Sequence, residues 1–320
     1  MNWGVQWMLP AAGSDFARYS DTIYAGLFWL CMAMFAGIAI ATVYFPLRYR
    51  FKAGRVTPHQ THNTQLEVIW SVAPLILCVV IFFIGLKGYL SYAVAPANSM
   101  EIQVTAKQWL WQFEYPDGSR TINDLHLPIG KNAHFVMTSD DVLHDFFVPD
   151  MRVKMDIVPG RYTEVWFNPT VLGKHVFTCA EYCGKGHSDM HGVLTVENDA
   201  EFANFLETGG TEWEDYFSGK DPTKTPEVWG KLQWERKGCN SCHNLDGTRS
   251  KGPSWKGIWG KMEKLNNGTT VLVDEAYVRE SMMQPQAKVV EGFEPIMPTF
   301  QGLLKPKEID GLVAFIKSLQ

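Results

Sequence analysis

Residues Ile23 to Phe45 form a run of 23 without a single charged side chain, and a second uncharged run of 19 lies between Glu67 and Lys87. No other feature restricts the fold as severely. Wound as a helix at 1.5 Å per residue, the first run is about 34 Å long, enough to cross a hydrocarbon layer of about 30 Å. The core helix of a soluble domain is the other use of such a run. Two of them, each this long, are better accommodated as membrane spans. A mean hydropathy of -0.12 conceals them, because the apolar residues are concentrated toward the N-terminus.

The connection between the runs carries Arg48, Arg50, Lys52 and Arg55, with no acid from Pro46 to Gln65. The positive-inside rule makes that loop cytoplasmic and the rest extracytoplasmic. The expectation is an N-terminal extracytoplasmic segment (1–22) and a transmembrane hairpin (23–91) with helices over about 23–46 and 66–90. The segment has no basic stretch ahead of an apolar core, so a signal peptide is not evident, and Ala11-Ala12-Gly13 is at most a processing remnant. Glu67 falls at the cytoplasmic mouth of the second span, where a carboxylate either snorkels to the interface or serves a proton path.

Residues 92–205 alternate in the manner of β-strands, as in Glu101 to Thr105, Ala133 to Met137 and Tyr162 to Phe167, with turn signals at Pro116-Asp117-Gly118 and Pro159-Gly160. Many short strands at this spacing predict a Greek-key β-sandwich. Within it, alternation over Lys107 to Tyr115 sends Trp109, Trp111, Phe113 and Tyr115 to one face. They fill the core, with at least one ring expected at the surface for a partner. Charge is uneven: residues 92–226 hold 10 basic and 20 acidic groups, whereas residues 227–320 hold 13 and 11. An acidic middle and a mildly basic end suit mutual docking or different partners, and neither resembles a nucleic-acid footprint.

Between two of the later strands lies Cys179-Ala180-Glu181-Tyr182-Cys183-Gly184-Lys185-Gly186-His187-Ser188-Asp189-Met190. It places two thiols, an imidazole and a thioether within twelve residues, and His144 offers a second imidazole from a strand end. Soft sulfur ligands select copper. The alternative is a structural zinc site of Cys179, Cys183, His187 and His144, for which Met190 has little use, so copper is preferred.

Residues 206–226 have the composition of a linker. Beyond it, Val228 to Lys237 is predicted helical and runs into Cys239-Asn240-Ser241-Cys242-His243, the attachment signal of a c-type haem with His243 as iron ligand. A redox dithiol is the other use of such a cysteine pair, and it lacks the expected βαβ context. With these two pairs assigned to cofactors, Cys31 and Cys78 remain, each inside an apolar run. No histidine follows His243, so the sixth iron ligand comes from Met262, Met282, Met283 or Met297. Met297 is preferred, because Pro295 and Pro298 hold it on a rigid extended stretch. An amphipathic helix over Lys307 to Leu319 closes a small all-α domain, residues 227–320.

Taken together, the chain resembles subunit II of the haem–copper cytochrome c oxidases, in the form with a fused C-terminal cytochrome c domain. The resemblance spans about residues 15–320. It rests on His144 followed by the Cys-x3-Cys-x3-His-x2-Met pattern and on the Cys-x-x-Cys-His. It implies a cupredoxin-like sandwich holding a dinuclear CuA centre. Cys179 and Cys183 would bridge two coppers, His144 and His187 would be terminal ligands, and Met190 and the Glu181 carbonyl the weaker ones. It further implies that the Glu181 carboxylate reaches a Mg2+ or Mn2+ shared with subunit I, and that Trp109 receives electrons ahead of copper. In this chain Leu110 stands where the family often has tyrosine. Glu67 would sit at a proton-channel mouth, and the Pro253 carbonyl would orient His243. The implied role is electron input to a proton-translocating respiratory oxidase, with oxygen reduced in subunit I and no oxidase activity in this chain alone. The implied setting is the cytoplasmic membrane of a bacterium. Partners would be subunits I and III, membrane lipid, and a cytochrome c or an upstream quinol-oxidising complex as donor. Nitrous-oxide reductase, which also uses CuA, would need a second, histidine-rich copper domain that nine scattered histidines do not supply. A nitric-oxide reductase variant and a copper-delivery protein are the other readings, and a fused haem argues against the last.

Overall fold

Two helices, α1 (Asp15–Tyr49) and α2 (Thr64–Tyr92), lead the chain in the computed structural model, which describes residues 6–56, 61–208 and 212–320. The first residues of the N-terminal segment, part of the basic loop, and Gly209-Gly210 of the expected linker lie outside the described residues. Both helices are longer than the uncharged runs, because polar turns continue them beyond the apolar stretch. Each is held at its start by a side-chain cap: Ser14 Oγ accepts from the Ala17 N–H at 3.0 Å, and Asn63 Oδ1 from the Leu66 N–H at 3.1 Å. Their apolar side chains face outward, with Phe35 66%, Ile38 65% and Phe83 61% exposed. Water does not tolerate two such surfaces, so these helices anchor the chain in a membrane. They meet where Tyr19 lies against Gly88 and donates its hydroxyl to the Ile84 carbonyl at 3.0 Å.

The sandwich has two five-stranded sheets, as its alternation predicts. One runs in the order β3 (Arg120–Ile122), β2 (Leu110–Glu114), β1 (Met100–Lys107), β5 (Ala133–Ser139), β8 (Thr163–Phe167). The other runs β4 (Asp124–Pro128), β10 (His191–Glu197), β9 (Gly173–Cys179), β6 (His144–Val148), β7 (Val153–Ile157). The pairs β1–β5 and β4–β10 are parallel, so the chain crosses between sheets in Greek-key fashion. Trp111, Phe113, Phe135, Phe146, Phe167 and Phe177 fill the space between the sheets and are completely buried.

The sandwich is joined rigidly to the start of α1. Ser14 Oγ donates to the Met151 carbonyl at 2.9 Å, the Gly13 N–H donates to the Asp150 carbonyl at 2.8 Å, and Arg152 grips Asp21 through both carboxylate oxygens at 2.9 and 3.0 Å. Bidentate pairing of this kind fixes orientation as well as distance.

Beyond β10 the structure is more regular than a linker. A helix α3 (Asp199–Thr208) lays Phe202 and Phe205 on Tyr115, and the Phe205 ring stacks on His126 at 3.7 Å. A short helix α4 (Glu212–Phe217) follows. Aromatic residues three apart give α3 a face to bury, which its composition concealed.

The last part comprises α5 (Pro226–Arg236), a hairpin of β11 (Met262–Lys264) and β12 (Thr270–Leu272), α6 (Glu275–Met283) and α7 (Pro306–Ser318). The helices α5 and α7 cross in backbone contact. A Cβ placed on Gly230 would lie 1.9 Å from the Gly311 carbonyl oxygen. This domain abuts the sandwich: Ile122 of β3 is completely buried within its hydrophobic core, and Leu110 of β2 packs against that core.

Candidate metal and haem sites

His144 opens β6 and Cys179 closes β9, and these strands are neighbours, with Phe146 opposite Cys179. The loop from Ala180 to Met190 then folds back, tied where the Cys179 N–H donates to the Met190 carbonyl at 2.9 Å. Sheet pairing thereby brings together ligands that lie 35 residues apart in sequence. Cys179 Sγ is 3.7 Å from Cys183 Sγ and 3.9 Å from His144 Nδ1. Cys183 Sγ is 3.5 Å from His187 Nδ1 and 3.7 Å from Met190 Sδ, while the Glu181 carbonyl oxygen is 3.1 Å from Cys179 Sγ. His144, Cys179, Cys183 and Met190 are all buried.

The donor set fits copper. Neighbouring ligand atoms 3.5–3.9 Å apart can share ions bonded at about 2.0–2.3 Å. Thiolates, imidazoles and a thioether together are soft, and a harder ion would leave Met190 idle. Burial raises both thiols, yet the His144 hydrogen bond turns Cys179 downward, and burial with the Cys179 charge drives Cys183 upward. One thiolate thus forms readily, and full deprotonation of the pair needs a bound cation.

Around these ligands, beside Trp109, lie Asp141 and Gln108, which the sequence did not flag. Asp141 Oδ1 faces His144 Nε2 at 2.9 Å and fixes that ring, while Oδ2 accepts from the Gln108 N–H at 2.8 Å. Burial pushes the Asp141 carboxyl up, but the N–H of Gln108 and the His144 ring hold it below the usual range. The Cys183 carbonyl accepts from Gln108 Nε2 at 2.7 Å and from Trp109 Nε1 at 3.1 Å. Trp109 is therefore hydrogen-bonded to the backbone of a metal-loop cysteine. All four rings of the aromatic stretch are buried, contrary to the expectation of a surface ring. Trp109, at 4% exposure, is covered by the C-terminal domain, with Lys251 Nζ 3.6 Å from its ring centroid. A spacing of 142 residues between Lys251 and Trp109 gave no signal for that contact.

An apolar pocket in the C-terminal domain is lined by Cys239, Cys242, His243, Met282 and Met297, and also by Trp109 and Leu110 of the sandwich. The Pro253 carbonyl accepts from His243 Nδ1 at 2.8 Å, which leaves Nε2 as the free ligand atom. Gly252 makes this possible, since a Cβ there would lie 2.5 Å from His243 Cε1. Burial pushes the His243 imidazole down, keeping it neutral as a ligand must be, and pushes the Cys239 thiol up to about 12. The residues therefore fit a covalent haem. Met262, 61% exposed on the hairpin, does not line the pocket, whereas Met297 and Met282 do. Glu67 lies in the first turn of α2, where Oε1 accepts from the Asn63 N–H at 3.3 Å.

Three family models match separate parts of this chain. Residues 1–87 match the family described as cytochrome C oxidase subunit II, transmembrane domain. Residues 119–197 match its periplasmic domain, and residues 228–320 match cytochrome c. The cytochrome c oxidase subunit 2 of Alkalihalophilus pseudofirmus is 29% identical over 307 residues, covering 91% of this chain and 84% of the relative. An alternative cytochrome c oxidase subunit 2 of Bradyrhizobium diazoefficiens is 31% identical over 232 residues, covering 63% of this chain and 83% of the relative. Among solved structures, the periplasmic domain of subunit II of cytochrome oxidase from Bradyrhizobium japonicum is 32% identical, with a TM-score of 0.35 over 36% of this chain and 95% of its own.

Proposed function

The chain belongs to the cytochrome c oxidase subunit II family, with a cytochrome c domain fused to it, and from that premise we propose the residues and route by which it feeds electrons to the oxidase. Copper and haem c are the cofactors its domains imply, and subunit I is the implied partner. The haem would be held by Cys239, Cys242, His243 and Met297, with the Pro253 carbonyl fixing the histidine. The copper pair would be held by Cys179 and Cys183, by His144 and His187, and by Met190 and the Glu181 carbonyl. When bound, the two groups supply one-electron redox chemistry without bond-making, passing electrons from a donor toward haem in subunit I.

The observation that carries this reading is the position of Trp109. It lines the haem pocket on one side and donates to the Cys183 carbonyl at 3.1 Å on the other. A single side chain thus joins the two sites. The remaining residues hold the ligands still: Asp141 orients His144, and buried packing excludes water, so little rearrangement accompanies each transfer.

Finer features of the reading rest on family resemblance. The Glu181 carboxylate would bind Mg2+ or Mn2+ at the border with subunit I, and Glu67 would stand at a proton-channel mouth. The sandwich and haem domain would lie on the periplasmic side of the cytoplasmic membrane, where subunit III, lipid and a cytochrome c or quinol-oxidising donor complete the assembly. The basic loop Arg48 to Arg55 supports that orientation.

The test is metal analysis and EPR of the full-length chain in detergent. The expected result is two coppers per haem iron and one unpaired electron shared over both coppers. A single copper, or zinc, overturns the assignment.

A further inference from the structure

Trp109 sits in the tight connection between β1 and β2, at the end of the sandwich that carries the metal loop, yet it is only 4% exposed. Its two sides are covered by different parts of the chain. On one lies the metal loop, where a Cβ on Gly186 would come within 2.5 Å of the ring. On the other lies the C-terminal domain, whose Lys251 ammonium stands 3.6 Å from the ring centroid. Gly238, immediately before Cys239, backs onto the Trp109 carbonyl and the Asn123 side chain, with room for no more than a Cβ 3.3–3.4 Å away. Lys251 directly precedes Gly252-Pro253, the segment that holds His243. One short loop therefore grips both the indole and the haem-ligating imidazole.

We propose that Lys251 is a latch: its cation–π contact seats the haem domain on Trp109 and closes the indole, as an electron entry to the copper centre, to every donor except the chain's own haem. Lys251 is a positioning residue, since it acts through Trp109. Electron tunnelling falls exponentially with distance. A second protein whose route runs through the indole must therefore deliver its electron to the haem domain first. Each transfer then moves one electron from the reduced haem site to the oxidised copper site, with no bond made or broken and no proton released. The proposal rests on the reading of Trp109 as the bridge between the sites, and it adds that the bridge is private.

The test uses the full chain in its oxidase complex, with Lys251→Gln, Lys251→Glu and Lys251→Arg. Lys251 is solvent-facing, so these variants retain the fold. Two readouts report the undocked fraction. One is hydroxyl-radical oxidation of Trp109 by mass spectrometry. The other is the share of electrons from an external photoreductant that reach copper ahead of haem. Losing a cation–π contact shifts the docked balance by about two- to thirtyfold, so both readouts rise by that factor in Lys251→Gln. They rise further in Lys251→Glu, where a carboxylate meets the negative π-face, and return to wild type in Lys251→Arg, whose guanidinium stacks on indole. Equal protection of Trp109 in wild type and Lys251→Glu overturns the latch. The bridge is tested separately by Trp109→Leu. Unchanged haem-to-copper transfer in that variant refutes the underlying reading, whereas the oxidation measurement judges the latch by itself.

Discussion

Replacing Gly230 by alanine sets two effects of opposite sign against each other. Helix propensity favours the substitution by about 1 kcal/mol, since glycine is a poor residue inside α5. Packing opposes it. The new Cβ would lie 1.9 Å from the Gly311 oxygen, 2.4 Å from its carbonyl carbon and 2.6 Å from Phe315 Cβ. Two of these are backbone atoms of α7, so no rotamer change relieves the clash, and the helices must separate by more than 1 Å to reach ordinary contact. Such a shift loosens Trp229, Leu312, Phe315 and Ile316, all buried at or near this crossing. Overpacking of this severity sits at or above the upper end of the usual 1–3 kcal/mol, which leaves a net destabilisation of about 2 kcal/mol after the propensity gain. For a domain of this size that lowers the melting midpoint by about 8–16 °C. Thermal melting of the full-length holoprotein, followed at the haem absorption band, measures it. A midpoint equal to or above wild type would show that α5 and α7 do not meet as described.

Three further outcomes follow from the site geometry. Asp141→Ala removes the group that fixes His144, and copper retention against a chelator should fall about 10–100-fold while haem content stays constant. Met297→Leu should lower the haem potential and open the iron to carbon monoxide, whereas Met282→Leu should leave ligation intact and change stability by under about 1.5 kcal/mol. His126 is largely covered and lies between Asp124 and Glu197. Burial alone would push its pKa down, but the two carboxylates raise it from 6.5 to about 9. Its contribution to stability is therefore complete below pH 6.5 and lost as pH rises through about 9, a loss on the order of 3 kcal/mol. Denaturation midpoints across that range should decline in wild type and stay flatter in His126→Gln.

What could be read from the chain alone was whatever depends on local spacing. An uncharged run of 23 residues is long enough for a membrane whatever its neighbours do. Period-two alternation names strands, and a Cys-x-x-Cys-His or a Cys-x3-Cys-x3-His-x2-Met carries its chemistry in the spacing itself. Local pattern was weaker where burial depends on a distant surface. The stretch from residue 206 has linker composition, yet α3 runs on to Thr208, anchored by Phe202 and Phe205 packing on Tyr115 and His126. Tertiary structure alone decided what stands next to what: Asp141 on His144, Gln108 and Trp109 on one carbonyl, and Lys251 on the indole. These contacts cross sheets and domains, where direction and distance follow from the packing of whole elements and leave no periodic trace in sequence. The sequence alone determined that this protein is a membrane-anchored chain with soft-metal and haem motifs. That one tryptophan lies between the two sites, with both faces covered, was decided by the docking of one domain on the other.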